Sequence, residues 1–190
     1  MILIIDNYDS FTYNLVQYVG SINNNLKIIK NDALALDVIK IMDLSHIIIS
    51  PGPGGPKNTG ICLDIIDQLS PFIPTLGICL GHQAIGYHYN AKIMNSKNII
   101  HGETSIIRHN NKSLLFNNIP SKFNATRYHS LCIDRGFKNN DLNITSWSDD
   151  QEIMSLEHKK YPIYGIQFHP ESILTEYGMQ IIKNFINIVV

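Results

Sequence analysis

The sequence predicts a single-domain α/β fold with a central, mostly parallel sheet flanked by helices. In the first half of the chain, short apolar segments alternate with segments of helical spacing, which is the pattern of βα units. In the second half, strand-like segments follow one another and are separated by turns rich in Gly, Asn and Asp, which predicts extra antiparallel strands. No linker or internal repeat divides the 190 residues, so we expect one domain covering 1–190.

The first half begins with an apolar run, Ile2–Asp6, that is typical of a strand buried on both faces. Phe11–Val19 has apolar residues at helical spacing and is followed by Gly20, a common helix end. Further strands are predicted at Leu26–Ile29, His46–Ile49 and Thr75–Ile78, and further helices at Leu34–Met42, Ile61–Leu69 and Leu80–Tyr89. This alternation predicts parallel strands with helices on both faces of the sheet.

The second half contains mostly strand-like segments, and a helix is expected from about Glu176 to Val190. Strands are predicted at Ala91–Met94, Ser105–Ile107, Ser130–Ile133, Ile144–Trp147, Ile153–Leu156 and Ile163–Phe168.

Composition narrows the function classes. Hydrophobic residues make up 44% and charged residues 16% of the chain, as in globular proteins. The net charge of −1 favours neither nucleic acid nor an anionic membrane as a partner. No apolar run reaches the roughly 20 residues of a membrane span, and the segment after Met1 lacks the basic start of a signal peptide. We expect a protein of the cytoplasm, or of the plastid stroma if it is organelle-encoded, and not a secreted one.

The three cysteines are Cys62, Cys79 and Cys132. Their odd number and wide spacing argue against a disulfide framework and against a cysteine zinc site. They fit a reducing compartment in which at most one thiol has a special role.

Cys79 lies between two glycines, where the strand Thr75–Ile78 meets the helix that begins at Leu80. This Gly-x-Cys-x-Gly pattern is typical of a nucleophile elbow, in which a sharp turn exposes the side chain at the sheet edge. The helix N-terminus favours the thiolate, and the N–H of Leu80 is a candidate oxyanion donor. A buried structural cysteine packed between glycines is the alternative.

A base and an orienting carboxylate are predicted at His169 and Glu171. In an extended segment, residues two apart lie on the same face, and Pro170 restricts the backbone between them. A third motif, Ser50-Pro51-Gly52-Pro53-Gly54-Gly55-Pro56, exposes backbone N–H groups and could supply a second oxyanion donor, although an ordinary tight turn would look the same. All three motifs follow predicted strands, where parallel sheets bind ligands.

These three motifs make the sequence similar to the class I glutamine amidotransferases over essentially its whole length. The resemblance rests on Pro51-Gly52-Pro53-Gly54, Gly77-Ile78-Cys79-Leu80-Gly81-His82-Gln83 and Phe168-His169-Pro170-Glu171. It implies the single-domain, flavodoxin-like fold of that family. It also implies a Cys79 nucleophile, His169 as base and acid, Glu171 as orienting carboxylate, and oxyanion donors at Gly52 and Leu80. The glutamine-binding residues implied are Gly52, Pro53, Gly54, Gln83, Ser130 and Leu131. His82 is given no catalytic role and is expected to make a structural hydrogen bond.

Two further stretches resemble the small subunits of anthranilate synthase and aminodeoxychorismate synthase. They are Asp6-Asn7-Tyr8-Asp9-Ser10-Phe11-Thr12-Tyr13-Asn14-Leu15 and Arg127-Tyr128-His129-Ser130-Leu131. The resemblance implies a glutaminase that supplies ammonia to a separate chorismate-binding large subunit, as half of a heterodimer or part of a heterotetramer. It implies no cofactor in this chain and Mg²⁺ on the partner. Glu103 departs from the Lys that relatives often carry after His-Gly.

Three alternatives remain open at the level of sequence. Within the family, the partner could serve tryptophan synthesis, folate synthesis or both. Outside it, the elbow could belong to a cysteine peptidase or another hydrolase. The chain could also be a non-enzymatic binding module with an inert Cys79.

Overall fold

A computed structural model of the chain describes residues 1–189, apart from the side chain of residue 99. The strands are β1 (Ile2–Asp6), β2 (Leu26–Lys30), β3 (His46–Ile49), β4 (Thr75–Ile78), β5 (Ile93–His109), β6 (Lys122–Ile133), β7 (Leu142–Ser148), β8 (Ile153–His158) and β9 (Ile163–Ile166). The helices are α1 (Thr12–Ile22), α2 (Leu36–Lys40), α3 (Cys62–Gln68), α4 (Leu80–His88) and α5 (Gly178–Ile186), and short 3₁₀ turns span Pro56–Asn58 and Leu114–Phe116.

The strands of the described part form one sheet in the order β2-β1-β3-β4-β9-β8-β7-β5-β6. The neighbours from β2 through β9 run parallel. The neighbours from β9 through β6 run antiparallel. The predicted α/β architecture, with a parallel centre and antiparallel strands from the second half of the chain, is therefore confirmed.

Side chains alternate across the parallel strands, so that both faces of the sheet are buried. In β1, Ile2 and Ile4 pack in the core under α1 and α5. Leu3 and Ile5 point to the opposite core, under α2, α3 and α4. Because all parallel strands run the same way, the carboxyl ends of β1, β3, β4 and β9 meet at one edge of the sheet.

The long hairpin of β5 and β6 differs most from the sequence prediction. Two separate strands, Ala91–Met94 and Ser105–Ile107, were expected where one 17-residue strand is found. The strand β6 begins at Lys122 instead of Ser130. The sequence did not predict this hairpin because polar, turn-like residues lie between its apolar segments. The two strands pair mainly with each other, so neither needs a continuous apolar face.

Several element ends also differ; for example, α1 continues past Gly20 to Ile22 and β7 begins at Leu142 instead of Ile144. The strand β9 ends at Ile166, before the predicted end at Phe168. The last helix spans Gly178–Ile186, shorter than the expected range from Glu176 to Val190, and Val190 lies outside the described residues. Tyr177 has a left-handed backbone with φ of 59°, which cannot continue a helix and so delays its start.

Candidate active site

Cys79 lies at a strained turn between β4 and α4, with φ of 50° and ψ of −98°. Positive φ is unfavourable for a residue with a Cβ and is common at functional sites. A Cβ on Gly77 would lie 2.4 Å from the backbone of Gly81, and one on Gly81 would lie 2.5 Å from the carbonyl oxygen of Ile49. The turn can therefore form only with glycine at both positions, which is the geometry of a nucleophile elbow.

Cys79 is 6% exposed and lies at the N-terminus of α4. The side-chain amide of Gln167 donates to its Sγ over 3.5 Å. Cys79 follows β4 and Gln167 follows β9. These two strands are parallel neighbours in the sheet, so the sulfur and its donor lie close together. The partial positive charge of a helix N-terminus and an N–H donor both stabilise a thiolate.

His169 and Glu171 form a buried pair, with 2.7 Å between His169 Nδ1 and Glu171 Oε1. The backbone of His169 is held on β6, because its N–H donates to the carbonyl of Thr126 at 3.0 Å. The Thr175 hydroxyl donates to the carbonyl of His169 at 2.6 Å. The carboxylate orients the ring through Nδ1, which leaves Nε2 for chemistry.

The electrostatics of His169 favour its charged form. Burial lowers the pKa of His169, but the negative charge of Cys79 and the contacts with Cys79 and Glu171 together raise it well above 6.5. His169 Nε2 makes no hydrogen bond of regular geometry with any described residue. It is close to Cys79, however, and such catalytic contacts commonly tighten only when substrate binds. A protonated imidazole at this position is the kind of neighbour that stabilises a cysteine thiolate.

A cavity of about 150 Å³ opens beside the Cys79 sulfur. It is lined by Gly52, Pro53, Gly54, Cys79, Leu80, Gln83, His101, Tyr128, His129, Ser130 and Leu131. Every residue expected to hold glutamine or an oxyanion is in this set. His169 and Glu171 line a second, adjoining cavity of about 330 Å³ instead. Tyr128 lines both cavities.

The loop that carries Gly52 is held by Asn7, at the end of β1. The Asn7 N–H donates to Ser50 Oγ, and its side-chain amide donates to the Ser50 carbonyl, each over 2.9 Å. A Cβ on Gly52 would lie 2.4 Å from the Asn7 carbonyl oxygen. The loop is therefore pressed against the β1 exit, and glycine is required at this contact. Asn7 is within the Asp6–Leu15 stretch, but its role needed the structure to be seen.

The side-chain amide of Gln83 is hydrogen-bonded within the protein. Its amide donates to the Leu131 carbonyl at 2.9 Å and to the side-chain oxygen of Gln167 at 3.1 Å. Both N–H groups are therefore used within the protein, and only the side-chain oxygen of Gln83 remains to accept a hydrogen bond from a ligand.

The ring of His82 lies against the backbone of Gly165, a contact that opposes the effect of burial on its pKa, although neither ring nitrogen has a hydrogen bond of regular geometry among the described residues. It is fully buried, and burial lowers its pKa to about 3. A Cβ on Gly165 would lie 2.8 Å from its Nδ1, so the ring packs tightly on β9. The ring acts as a neutral packing group between α4 and the sheet.

Within residues 1–189, no group of three or more His, Cys, Asp or Glu side chains could hold a metal ion. No helix in the same range is long and apolar enough to cross a membrane. All three cysteines are buried and free.

Comparison with known proteins finds relatives over nearly the whole chain. The chain is 52% identical over 188 residues to anthranilate synthase component 2 of Cyanophora paradoxa, covering 98% of each. It is 48% identical over 189 residues to the bifunctional protein TrpGD of Thermotoga maritima, where it spans 32% of that longer protein. A solved structure from Thermoplasma acidophilum, described as a GMP synthase component, superposes with a TM-score of 0.85 at 26% identity, covering 97% of this chain and 91% of that one.

Residues 3–189 match the family described as Glutamine amidotransferase class-I. The match spans nearly the whole chain and supports a glutamine amidotransferase over an unrelated hydrolase with the same elbow. By sequence and by fold, this chain belongs to the class I glutamine amidotransferases.

Proposed function

We propose that this chain is the glutaminase component of an anthranilate synthase. It hydrolyses L-glutamine to glutamate and passes the ammonia to a chorismate-binding large subunit, in a step of tryptophan biosynthesis. The observation that carries the proposal is the Cys79 thiol at a strained elbow beside the buried His169–Glu171 pair. Similarity to component 2 proteins over the full chain supports the choice of pathway.

In the first half of the reaction, the Cys79 thiolate attacks the side-chain carboxamide carbon of glutamine. The carbonyl π electrons move to oxygen, and the N–H groups of Gly52 and Leu80 are assigned to hold this oxyanion. Leu80 is the first residue of α4, a position where the N–H has no partner within the helix. The His169 imidazolium then gives its Nε2 proton to the leaving nitrogen, so that the C–N bond breaks and ammonia departs.

In the second half, neutral His169 takes a proton from water, and the resulting hydroxide adds to the γ-glutamyl thioester. Collapse of this second oxyanion breaks the C–S bond, releases glutamate and restores the thiolate. Glu171 keeps the imidazole in the tautomer that places Nε2 toward the reacting atoms. These steps use no metal or organic cofactor of this chain, and Mg²⁺ belongs to the partner's chorismate chemistry.

Glutamine binding is assigned to the cavity beside Cys79. Its lining includes Gly52, Pro53 and Gly54 from one loop and Ser130 and Leu131 from β6. Gln83 also lines it, and its side-chain oxygen is an acceptor suited to the α-ammonium or the amide of the substrate.

A face rich in exposed apolar residues adjoins the triad and is assigned to the large subunit. Ile173 is 92% exposed and Phe11 41% exposed, and both line the cavity that His169 and Glu171 also line. Phe11 packs on Tyr128 with ring centroids 5.4 Å apart, and Tyr128 meets His169 edge-on at 5.1 Å. A large subunit docked here would cover the exit from the triad and keep ammonia from solvent.

The three free thiols fit a reducing compartment, and we assign the protein to the cytoplasm or the plastid stroma.

The substitution Gly52→Ala is expected to lower kcat for glutamine by about 10²–10³-fold, the effect of losing one oxyanion donor. The new Cβ would lie 2.4 Å from the Asn7 carbonyl oxygen, so the loop must move away from the reacting carbon. Gly55→Ala in the same loop is the matched control, because its Cβ would meet only the Leu131 side chain at 3.9 Å. Steady-state glutamate release would measure both variants, and equal activities would argue against Gly52 as a donor.

The pathway is tested by mixing the purified chain with glutamine, chorismate and each of two large subunits in turn. We expect glutamine-dependent anthranilate with an anthranilate synthase large subunit. Product only with an aminodeoxychorismate synthase large subunit would assign the chain to folate synthesis, and product with both would make it a component shared by the two enzymes. Product with neither, while free ammonia supports both partners, would overturn the proposal.

A further inference from the structure

A buried ionic cluster lies beneath the Ser130–Leu131 edge of the glutamine cavity. Its centre is Arg127, whose side chain is 1% exposed and which bonds the fully buried carboxylate of Glu152. Arg127 Nη1 also donates to Asp150 at 3.2 Å. Of the motif Arg127–Leu131, only Ser130 and Leu131 are assigned to glutamine binding. Arg127 and His129 have no role in the proposed reaction steps.

Arg127 determines the tautomer of His129. Its Nε donates to His129 Nε2 over 3.0 Å, and a guanidinium has only donors, so Nε2 must be the acceptor. The imidazole proton is therefore on Nδ1, which donates to the carbonyl of Leu131 over 3.0 Å and lies equally close to the Ser96 hydroxyl oxygen, a second acceptor. Burial, followed by the charge of Arg127, lowers the pKa of His129 to about 3, so the ring is neutral at physiological pH.

The Leu131 carbonyl receives two donors, His129 Nδ1–H and the amide of Gln83 at 2.9 Å. The same amide reaches the side-chain oxygen of Gln167 at 3.1 Å, and Gln167 donates to the Cys79 sulfur. One continuous set of hydrogen bonds therefore joins the buried arginine to the glutamine-binding edge and to the nucleophile.

The pairing of β6 with β5 is interrupted at Ser130, between the paired residues His129 and Leu131. The pairing of β5 with β6 shifts register between Asn95 and Ile100, opposite the segment from His129 to Leu131. Ser130 lies inside this irregularity and is exposed. A bulge disrupts the ladder locally, so a side-chain hydrogen bond to the neighbouring Leu131 carbonyl helps to fix the backbone there.

We propose that His129 is a positioning residue for glutamine: its Nδ1–H holds the Leu131 carbonyl and so presents Ser130 and Leu131 to the substrate, with Arg127 holding the ring in the required tautomer. The inference rests on the proposed glutaminase function. We expect His129 to affect the affinity for glutamine and not the reactivity of Cys79.

Two reciprocal substitutions test this role in the complex with the large subunit. His129→Asn keeps an amide donor where Nδ1 lies but cannot reach Arg127. His129→Gln places its amide near the former Nε2, so it still accepts from Arg127 but offers no donor to Leu131. We expect His129→Gln to raise the KM for glutamine by about three- to tenfold, the worth of one hydrogen bond, and His129→Asn to stay near the unaltered value. The rate of Cys79 alkylation by iodoacetamide should be the same in both.

A purely structural role for His129 predicts the opposite order, because only the Gln variant satisfies the buried guanidinium. That order, equal KM values for the two variants, or an alkylation rate that falls in step with glutamine use would each overturn the proposal. Calorimetric binding of glutamine to both variants in a Cys79→Ala background provides a second measurement that needs no turnover. If the unaltered complex makes no glutamate at all, the proposed function fails, whereas the two binding constants still decide the role of His129.

Discussion

Replacing Cys79 by Ala is expected to abolish glutamine-dependent synthesis in the assembled complex and to leave ammonia-dependent synthesis unchanged. Without the sulfur no thioester can form, and loss of a nucleophile commonly costs on the order of 10⁴-fold or more in kcat. Ammonia does not need this site, so the large subunit retains its own reaction. Product formation with glutamine and with ammonium salt, measured on the same preparation, separates the two activities.

Cys132→Ala is the matched control for this experiment. Cys132 is buried in β6, and burial raises the pKa of its thiol to about 11, which leaves it almost wholly protonated at neutral pH. The control should keep its glutamine-dependent activity. If Cys79→Ala retained glutamine use, the triad assignment would be lost.

The substitution Glu171→Gln should lower kcat/KM for glutamine by about 10²–10⁴-fold, the usual contribution of positioned acid–base catalysis. It should also move the alkaline limb of the pH profile to lower pH. Glu171 is one of the groups that raise the pKa of His169 against the opposing effect of burial. Without its charge the imidazolium loses its proton at a lower pH, and the acid that protonates ammonia is lost sooner.

The raised pKa of His169 also makes the stability of the folded protein depend on pH. The folded pKa of His169 lies above its ordinary value of 6.5, so its stabilising contribution is complete below about that pH. The contribution is lost as the pH rises through the raised, folded-state value, and Glu171→Gln should make it smaller.

Glu176→Gln is the control for the pH profile, because that carboxylate accepts from the backbone of Asn124 on the exposed surface. An alkaline limb that stays in place in Glu171→Gln would contradict the assigned ion pair.

The parallel half of the fold could be predicted because its signals are local. The run Ile2–Asp6 and the strand Thr75–Ile78 are apolar on both faces, and glycine marks the turns around Cys79. The hairpin of β5 and β6 could not be predicted to its full length. Its stability comes from cross-strand pairs such as Ile107 with Phe123, which no single segment displays.

The residues of the site also differ in whether the sequence alone could predict them. Residues with a chemical signature, Cys79 and His169 above all, stood out from the sequence. Gln167 and His129 did not, because they act through contacts with residues distant in the chain. Gln167 Nε2 reaches the Cys79 sulfur across 88 positions of sequence, and only the neighbouring positions of β4 and β9 bring the two together.

The most direct test of the central claim is mass spectrometry of the complex, quenched rapidly in acid during turnover of isotope-labelled glutamine. The account predicts a labelled γ-glutamyl thioester on the peptide that contains Cys79, and no label on the peptides with Cys62 or Cys132. Labelled glutamate released with no adduct on Cys79, or with the adduct on another residue, would contradict the assignment of Cys79 as the nucleophile.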